Sequence, residues 1–344
     1  MSKIVRNARG ATIIDVAAHA GVSPMTVSRV INGREGVRPE TRALVQRAID
    51  ALAYTPNVAA RSLVTSGELR IGVIYSNPSA AFMSEFLTGV FEEASTLGAR
   101  LILLKGEGGR PPSLDALREM LASGVSGVIL TPPLGESPVV LGVLREAGCA
   151  MAAVGGYQVD GAICVRIDDR LAAYEATRHL LDLGHRRLGF VLGNPDQAAS
   201  AERMAGFYAA VRETPDVDVR VAQGDFSYAS GLNAGEQLLE GPSPPTAIFA
   251  SNDDMAAAVV SVAHRRHLDV PGALSVVGFD DTTAAVTLWP PLTTVRQPVD
   301  KLAAEALAVL AANVAGQRRP ASDRILGHAL VRRESAAQAN PAAA

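Results

Sequence analysis

From Leu69 to Phe279, short apolar runs alternate with amphipathic helical stretches, and that alternation leaves few folds open. Strand patterns occur at 70–75, 100–104, 125–130, 150–154, 188–192, 219–223, 247–250 and 274–279. Helical patterns near 85–97, 113–122, 172–183, 201–212, 230–239 and 255–265 fall between most of them. Strands that are apolar on both faces and separated by helices read as parallel sheets covered on each side. The succession predicts two doubly wound α/β lobes. Ligands of such sheets sit outside the carboxyl ends of strands, so a cleft between the lobes is the default site.

Residues 12–32 have a different texture. Thr12 is a natural N-cap, Ile13, Val16, Ala17 and Ala20 recur at helical spacing, and Gly21 stands where a helix end needs positive φ. Ser23 then caps a second short helix that has Pro24 at its first position, where no backbone N–H is required. Val27, Val30 and Ile31 form its apolar stripe, leaving Met25, Thr26, Ser28 and Arg29 on other faces. Pro39 opens a third helix to about Ala53, with Leu44, Val45, Ala48, Ile49 and Leu52 inward. An ordinary αα-hairpin with a solvated outer face is the plain reading; a recognition helix for the major groove is the functional one.

Charge favours the second. The net charge of the 344 residues is only −3, but residues 1–66 hold nine Lys/Arg against four Asp/Glu, a balance of +5, and the remaining 278 carry 23 against 31, or −8. A small basic module on a larger acidic body is the asymmetry expected when one end meets phosphates. Residues 57–65 can form about two helical turns, too few to stand alone. The two cysteines, Cys149 and Cys164, lie in apolar segments without CxxC spacing, so buried thiols are expected, with no metal and no cofactor. The N-terminus lacks a signal-peptide core and no stretch reaches membrane-span length, which points to a cytoplasmic protein without a membrane partner. Residues 336–344 are low-complexity and read as a disordered tail.

In order along the chain, Asp15-Val16-Ala17, Ala20-Gly21-Val22-Ser23, Thr26-Val27-Ser28-Arg29-Val30, Tyr54-Thr55-Pro56-Asn57 and Ala60-Arg61-Ser62-Leu63 are followed by Leu183-Gly184-His185, Arg203 with Gly206-Phe207, Ser251-Asn252-Asp253-Asp254, Val277-Gly278-Phe279-Asp280 and Pro290 through Gln297. With these motifs the chain resembles the lactose-repressor/galactose-repressor family of bacterial transcription regulators over nearly its whole length. The resemblance implies an α/β protein: a three-helix helix-turn-helix module at 1–56, a hinge helix and linker at 57–67, and a two-lobed, periplasmic-binding-protein-like body at 68–335. The N-lobe is expected to take 68–166 plus 296–323, and the C-lobe 167–295 plus 324–335. It further implies a homodimer on a near-palindromic operator. Pro24 and Met25 then face base edges, Thr26 and Arg29 stand beside them, and Arg29 is suited to a bidentate guanine contact. Thr12, Ser23, Ser28 and Asn32 suit phosphates. The hinge, capped by Asn57, is expected to enter the minor groove with Leu63 wedged into a base step and Ala60 beside it; packing against a partner hinge is the plainer role for Leu63.

Candidate effector residues are those placed just after strands: Tyr75, Ser76 and Phe82, then Phe226, Asn252, Asp254 and Asp280, together with Gln297 in a crossover and Arg203 at a helix start. Asn, Asp and Arg engage vicinal hydroxyls through paired hydrogen bonds, and aromatic faces cover the apolar face of a sugar ring. These positions match the family's effector positions, so a sugar-responsive repressor is expected. A corepressor-dependent, purine-type regulator is the alternative, and a sugar-binding protein without a DNA role a more distant one. The acidic pairs Asp168-Asp169, Asp253-Asp254 and Asp280-Asp281 come with no phosphate loop, nucleophile elbow or metal spacing, so no enzyme is expected.

Overall fold

The computed structural model describes residues 13–31, 38–52, 68–316 and 323–340. The first two segments hold helices α1 (Ile13–Ala20), α2 (Pro24–Ile31) and α3 (Pro39–Ala51). Gly21 takes φ 66° at the turn, and the Ser23 hydroxyl accepts from the Thr26 amide at 3.2 Å, capping α2 as its sequence requires. Val16, Ala17, Val27, Val30, Val45 and Ala48 close one small core. Leu44 does not join it: its side chain is 45% exposed, one step around α3 from the buried stripe.

The body begins with β1 (Arg70–Tyr75), α4 (Ala80–Leu97), β2 (Arg100–Lys105), α5 (Leu114–Ala122), β3 (Gly127–Leu130), a short 3-10 turn (Leu134–Glu136), α6 (Pro138–Glu146), β4 (Ala150–Val154) and β5 (Ala162–Ile167). It continues with α7 (Asp169–Asp182), β6 (Arg187–Leu192), α8 (Ala198–Arg212), β7 (Asp218–Gln223), α9 (Tyr228–Leu238), β8 (Ala247–Ala250), α10 (Asp253–Arg265), β9 (Ser275–Asp280), α11 (Thr283–Thr287), β10 (Thr293–Arg296), α12 (Val299–Val314), β11 (Arg324–Leu326) and β12 (Ala329–Val331). Two six-stranded sheets result, ordered β11-β5-β4-β3-β1-β2 and β12-β10-β9-β8-β6-β7. All pairings are parallel except β10 with β12. The chain therefore passes between lobes three times: after β5, after β10 and between β11 and β12.

Two stretches near the C-terminal end depart from the sequence reading. Arg324–Leu326 pairs with Val165–Ile167 in the N-lobe sheet, so this stretch is N-lobe and not C-lobe, and the final crossing falls just after it. The Arg324–Glu305 ion pair (3.4 Å) adds to that anchorage. Nor is the start of the tail disordered. Ala337 N–H donates to Ser275 Oγ (3.1 Å) and Ala339 N–H to the Leu183 carbonyl (2.8 Å). His185 sits beneath this strap, its Nδ1 2.9 Å from Thr246 Oγ1 and its Nε2 3.1 Å from both Ser275 Oγ and the Ala337 carbonyl. Backbone groups with partners on the body explain why a low-complexity composition is held here. Cys149 and Cys164 are both free and buried, as expected.

Candidate functional site

On the helix-turn-helix module, α2 presents Met25 with 67% of its surface exposed. Ser23 and Thr26 share a 2.9 Å hydroxyl contact at the helix start, so both are held in fixed positions beside Pro24. Ser28 and Arg29 lie on the same helix. Thr12, Asn32, Asn57, Ala60 and Leu63 lie outside the described residues, as do the side-chain surroundings of Ser28 and Arg29.

In the body, the carboxyl ends of both sheets face a cleft with about 530 Å³ of space, its open mouth included. Its polar centre is Arg203, near the start of α8. The guanidinium donates from Nε to Asp169 Oδ1 (2.8 Å) and from Nη1 to the Ser251 carbonyl, and it lies 3.6 Å from the Phe279 ring centroid. Both ion-pair partners are buried. A buried guanidinium is tolerable only with such a counterion, so the Arg203–Asp169 pair stands in place before any ligand arrives. Tyr157 completes it: its hydroxyl donates to Asp169 Oδ2 (2.8 Å), and Arg166 lies over its ring at 4.1 Å. Arg166 has its own counterion in Asp323 (3.3 Å).

Opposite Arg203 stands Asp280, at the end of β9 with φ 118°. Gln297 Nε2 donates to its Oδ1. Complete burial pushes the Asp280 carboxyl well above the carboxylate range; Arg203 pulls it down and Asp253 pushes it further up. Asp253 is also buried, accepting from Thr294 Oγ1 (2.6 Å) and from the Thr282 amide (2.8 Å), and burial raises its carboxyl to about 7. It fixes the turn that follows β9. Phe226 is held at φ 73° with its ring against Gly193, where a Cβ would come 2.0 Å from Cζ; only glycine admits the ring.

Of the residues expected around an effector, Phe82, Arg203, Phe226, Asn252, Asp280 and Gln297 line this cleft. Asn252 does so with its side chain already engaged. Its Oδ1 accepts from the Met255 amide (2.9 Å) as the cap of α10, and its Nδ2 donates to the Phe226 carbonyl (2.9 Å). It positions Phe226. Tyr75, Ser76 and Asp254 are not brought into the lining. Tyr75 packs at the edge of the main core, and Ser76 is buried beside Gly106. Asp254 projects from the first turn of α10, where Asp253 is the inward residue. The sequence reading missed Asp169, Arg166, Gln197, Asn77 and Ser79, all in the lining. Asp168 caps α7, its Oδ1 3.0 Å from the Leu171 amide, and its neighbour Asp169 holds Arg203. Gln197 Nε2 is buried without a partner, a donor left to the cleft. Among the described residues no group of three His, Cys, Asp or Glu could hold a metal, and no helix is long and apolar enough to cross a membrane.

Comparison with known proteins matches both parts. Residues 12–57 fit the model of bacterial regulatory proteins, lacI family, and residues 177–336 that of the periplasmic binding protein-like domain. Catabolite control protein A of Priestia megaterium is 34% identical, over 87% of this chain and 91% of its own. The transcriptional regulator CelR of Thermobifida fusca is 34% identical, over 95% and 98%. Among solved structures, a CelR–cellobiose complex superposes with TM-score 0.71 at 31% identity, covering 94% of this chain and 99% of its own. A lac repressor dimer bound to operator and the anti-inducer ONPF gives TM-score 0.71 at 28% identity, covering 96% and 100%.

Proposed function

This chain belongs to the lacI family of bacterial regulatory proteins, and on that premise we propose that it represses a carbohydrate-utilisation operon from which a neutral saccharide releases it. The family makes it a DNA-binding transcriptional regulator. The operator-bound lac repressor dimer supports the same assembly here: two copies on a near-palindromic site, each placing α2 in the major groove. Thr12, Ser23, Ser28 and Asn32 hold phosphates, while Pro24, Met25, Thr26 and Arg29 face bases. Asn57, Ala60 and Leu63 belong to the hinge. Such a protein acts in the cytoplasm, on the nucleoid, and catalyses no reaction.

One observation carries the ligand class. Each arginine lining the cleft already has its counterion, Arg203 in Asp169 and Arg166 in Asp323, and burial favours the neutral form of Asp280. Apart from Arg166 Nε, an unpartnered donor on a guanidinium already neutralised by Asp323, the capacity that remains is uncharged: the Gln197 amide, the second oxygen of Asp280 and the Gln297 carbonyl, with the faces of Phe82 and Phe226 beside them. Hydroxyls of an uncharged sugar satisfy such groups. A phosphate or carboxylate would enter without a free cation to meet it.

The test is operator binding at fixed salt, with the operator selected from random duplexes, titrated with neutral saccharides including cellobiose, with sugar phosphates and with purine bases. A neutral saccharide is expected to weaken binding by roughly 5- to 150-fold, and Asp280→Ala to abolish that response while leaving operator affinity intact. A response to sugar phosphates alone would overturn the ligand class. Tighter binding with a purine would make the protein corepressor-dependent.

A further inference from the structure

The N-terminus of α8 has an unusual cap. Its own N-cap residue, Gln197, makes no side-chain capping bond. The first helical amide, Ala198 N–H, donates instead to Glu136 Oε2 at 2.8 Å. Glu136 ends the 3-10 turn after β3, in the N-lobe, whereas α8 belongs to the C-lobe. The other carboxylate oxygen, Oε1, accepts from the Tyr157 amide (3.2 Å) within the N-lobe. A single side chain is thus rooted in one lobe and caps a helix of the other. Five residues further along that helix stands Arg203, the polar centre of the cleft.

We infer that Glu136 is a positioning residue, an inter-lobe latch whose carboxylate sets how far the lobes close over the effector cleft and so where α8 presents Arg203. Three observations support a latch over an incidental contact. The carboxylate sits where a helix terminus offers unpaired N–H groups and favourable dipole. It is not among the cleft-lining residues, so it acts through α8 and not on the ligand. A second bond crosses between the lobes beside it, from the Tyr157 hydroxyl to Asp169, and because Tyr157 is held by Glu136 through its amide the two bonds share one mount. Burial raises the Glu136 carboxyl above its ordinary value and nearby Asp169 adds to this, while the two amides hold it down. Such a group is kept in place by the bonds it accepts and has little reason to remain once the lobes part.

The inference rests on the reading of the cleft as the effector site, but its test needs no effector. Spin labels on one exposed position of each lobe in the full chain report the inter-lobe distance by dipolar spectroscopy. Two substitutions remove the bond from opposite sides. Glu136→Gln places an amide NH2 against one of the two N–H groups. Ala198→Pro deletes the donor at a first helical position that proline tolerates, and the preceding Gln197, with φ −115° and ψ 126°, already has the backbone that proline demands. Each variant is expected to broaden the distance distribution toward open lobes with the melting temperature nearly unchanged, and the double variant to open no further than either alone. Unchanged distributions in both folded variants would overturn the latch. So would additive opening in the double variant, which would mean that the two residues act separately. Opening of the lobes in both variants with the sugar response unchanged would count against the effector reading and not against the latch.

Discussion

The two walls of the cleft are built on opposite plans. The C-lobe wall is a closed polar network, in which Arg203 is fastened to Asp169 and the Ser251 carbonyl, Asp280 to Gln297, and Asn252 to both the start of α10 and Phe226. The N-lobe wall is mostly apolar, with Phe82, Pro132, Val154, Gly155 and Leu302 lining it, Asn77 and Ser79 at the edge, and Arg166 on β5 bringing in a charge. Asn77 and Ser79 serve the loop itself: Asn77 Oδ1 accepts from the Ser79 amide, and Ser79 caps α4. The difference assigns separate work to the lobes. A wall whose donors and acceptors are fixed in advance supplies orientation at little reorganisation cost, while a smooth apolar wall supplies shape and excludes water. The C-lobe is the platform and the N-lobe the cover.

If so, damage to the platform should be the more costly. Asp169→Ala leaves Arg203 buried without its counterion, a change that typically costs about 3–5 kcal/mol. Urea unfolding of the variant should show that loss, and the effector response should disappear with it. A loss below about 1 kcal/mol would mean that the guanidinium finds another partner or water, and that the platform is not fixed in advance.

The platform also carries a signature in pH. Burial lifts Asp253 from 3.8 to about 7, against the lowering effect of its bonds to Thr294 and Thr282, and lifts Asp280 in the same direction. Between those values the folded chain holds protons that the unfolded chain has released. The stability these carboxyls contribute is therefore fullest below 3.8 and falls as pH rises through this window, the share of Asp253 levelling above about 7. The melting temperature should drop from pH 5 to pH 8, and Asp253→Asn should flatten the slope. Glu85 on α4 contributes in the same window, since burial, Asp300 and Asp281 together lift it from 4.5 to about 7. Glu85→Gln should remove its share only. A slope unaffected by Asp253→Asn would move the buried charge out of the C-lobe and blur the contrast between the walls.

Most of the platform was legible in the sequence because its residues follow strands whose apolar runs are unmistakable. Asp280 follows Val276–Phe279, and Asn252 follows Ala247–Ala250. Asp169 escaped because its strand did: β5, Ala-Ile-Cys-Val-Arg-Ile, is broken by Arg166, so nothing marked the residues after it as cleft residues. Its role also depends on Arg203, 34 residues away, a pairing that no local pattern reveals. Tyr75, Ser76 and Asp254 failed for the converse reason. Position after a strand fixes which end of the sheet a residue occupies, not which way its side chain points. The Asp253 and Asp254 side chains leave one helical turn in different directions, and only packing decides which faces inward. In the three-helix module the turn and the cap of α2 were readable because they are local chemistry, Gly21 at positive φ and Ser23 on the Thr26 amide, whereas the outward turn of Leu44 depends on packing.

The smallest expected effect lies on the cover. Phe82 is buried between α4 and the cleft, and among apolar exchanges leucine disturbs packing less than alanine would. Phe82→Leu should leave operator affinity unchanged and cost only modest stability. It should alter the ranking of saccharides by about 1–3 kcal/mol, the scale on which an apolar pocket discriminates shape. Competition among saccharides for the ligand-free protein, followed by thermal shift, measures that ranking directly. Should Phe82→Leu abolish the response as fully as Asp280→Ala, the N-lobe wall would be supplying orientation as well as shape. The two walls would then be one site distributed over both lobes, and no longer a platform with a cover.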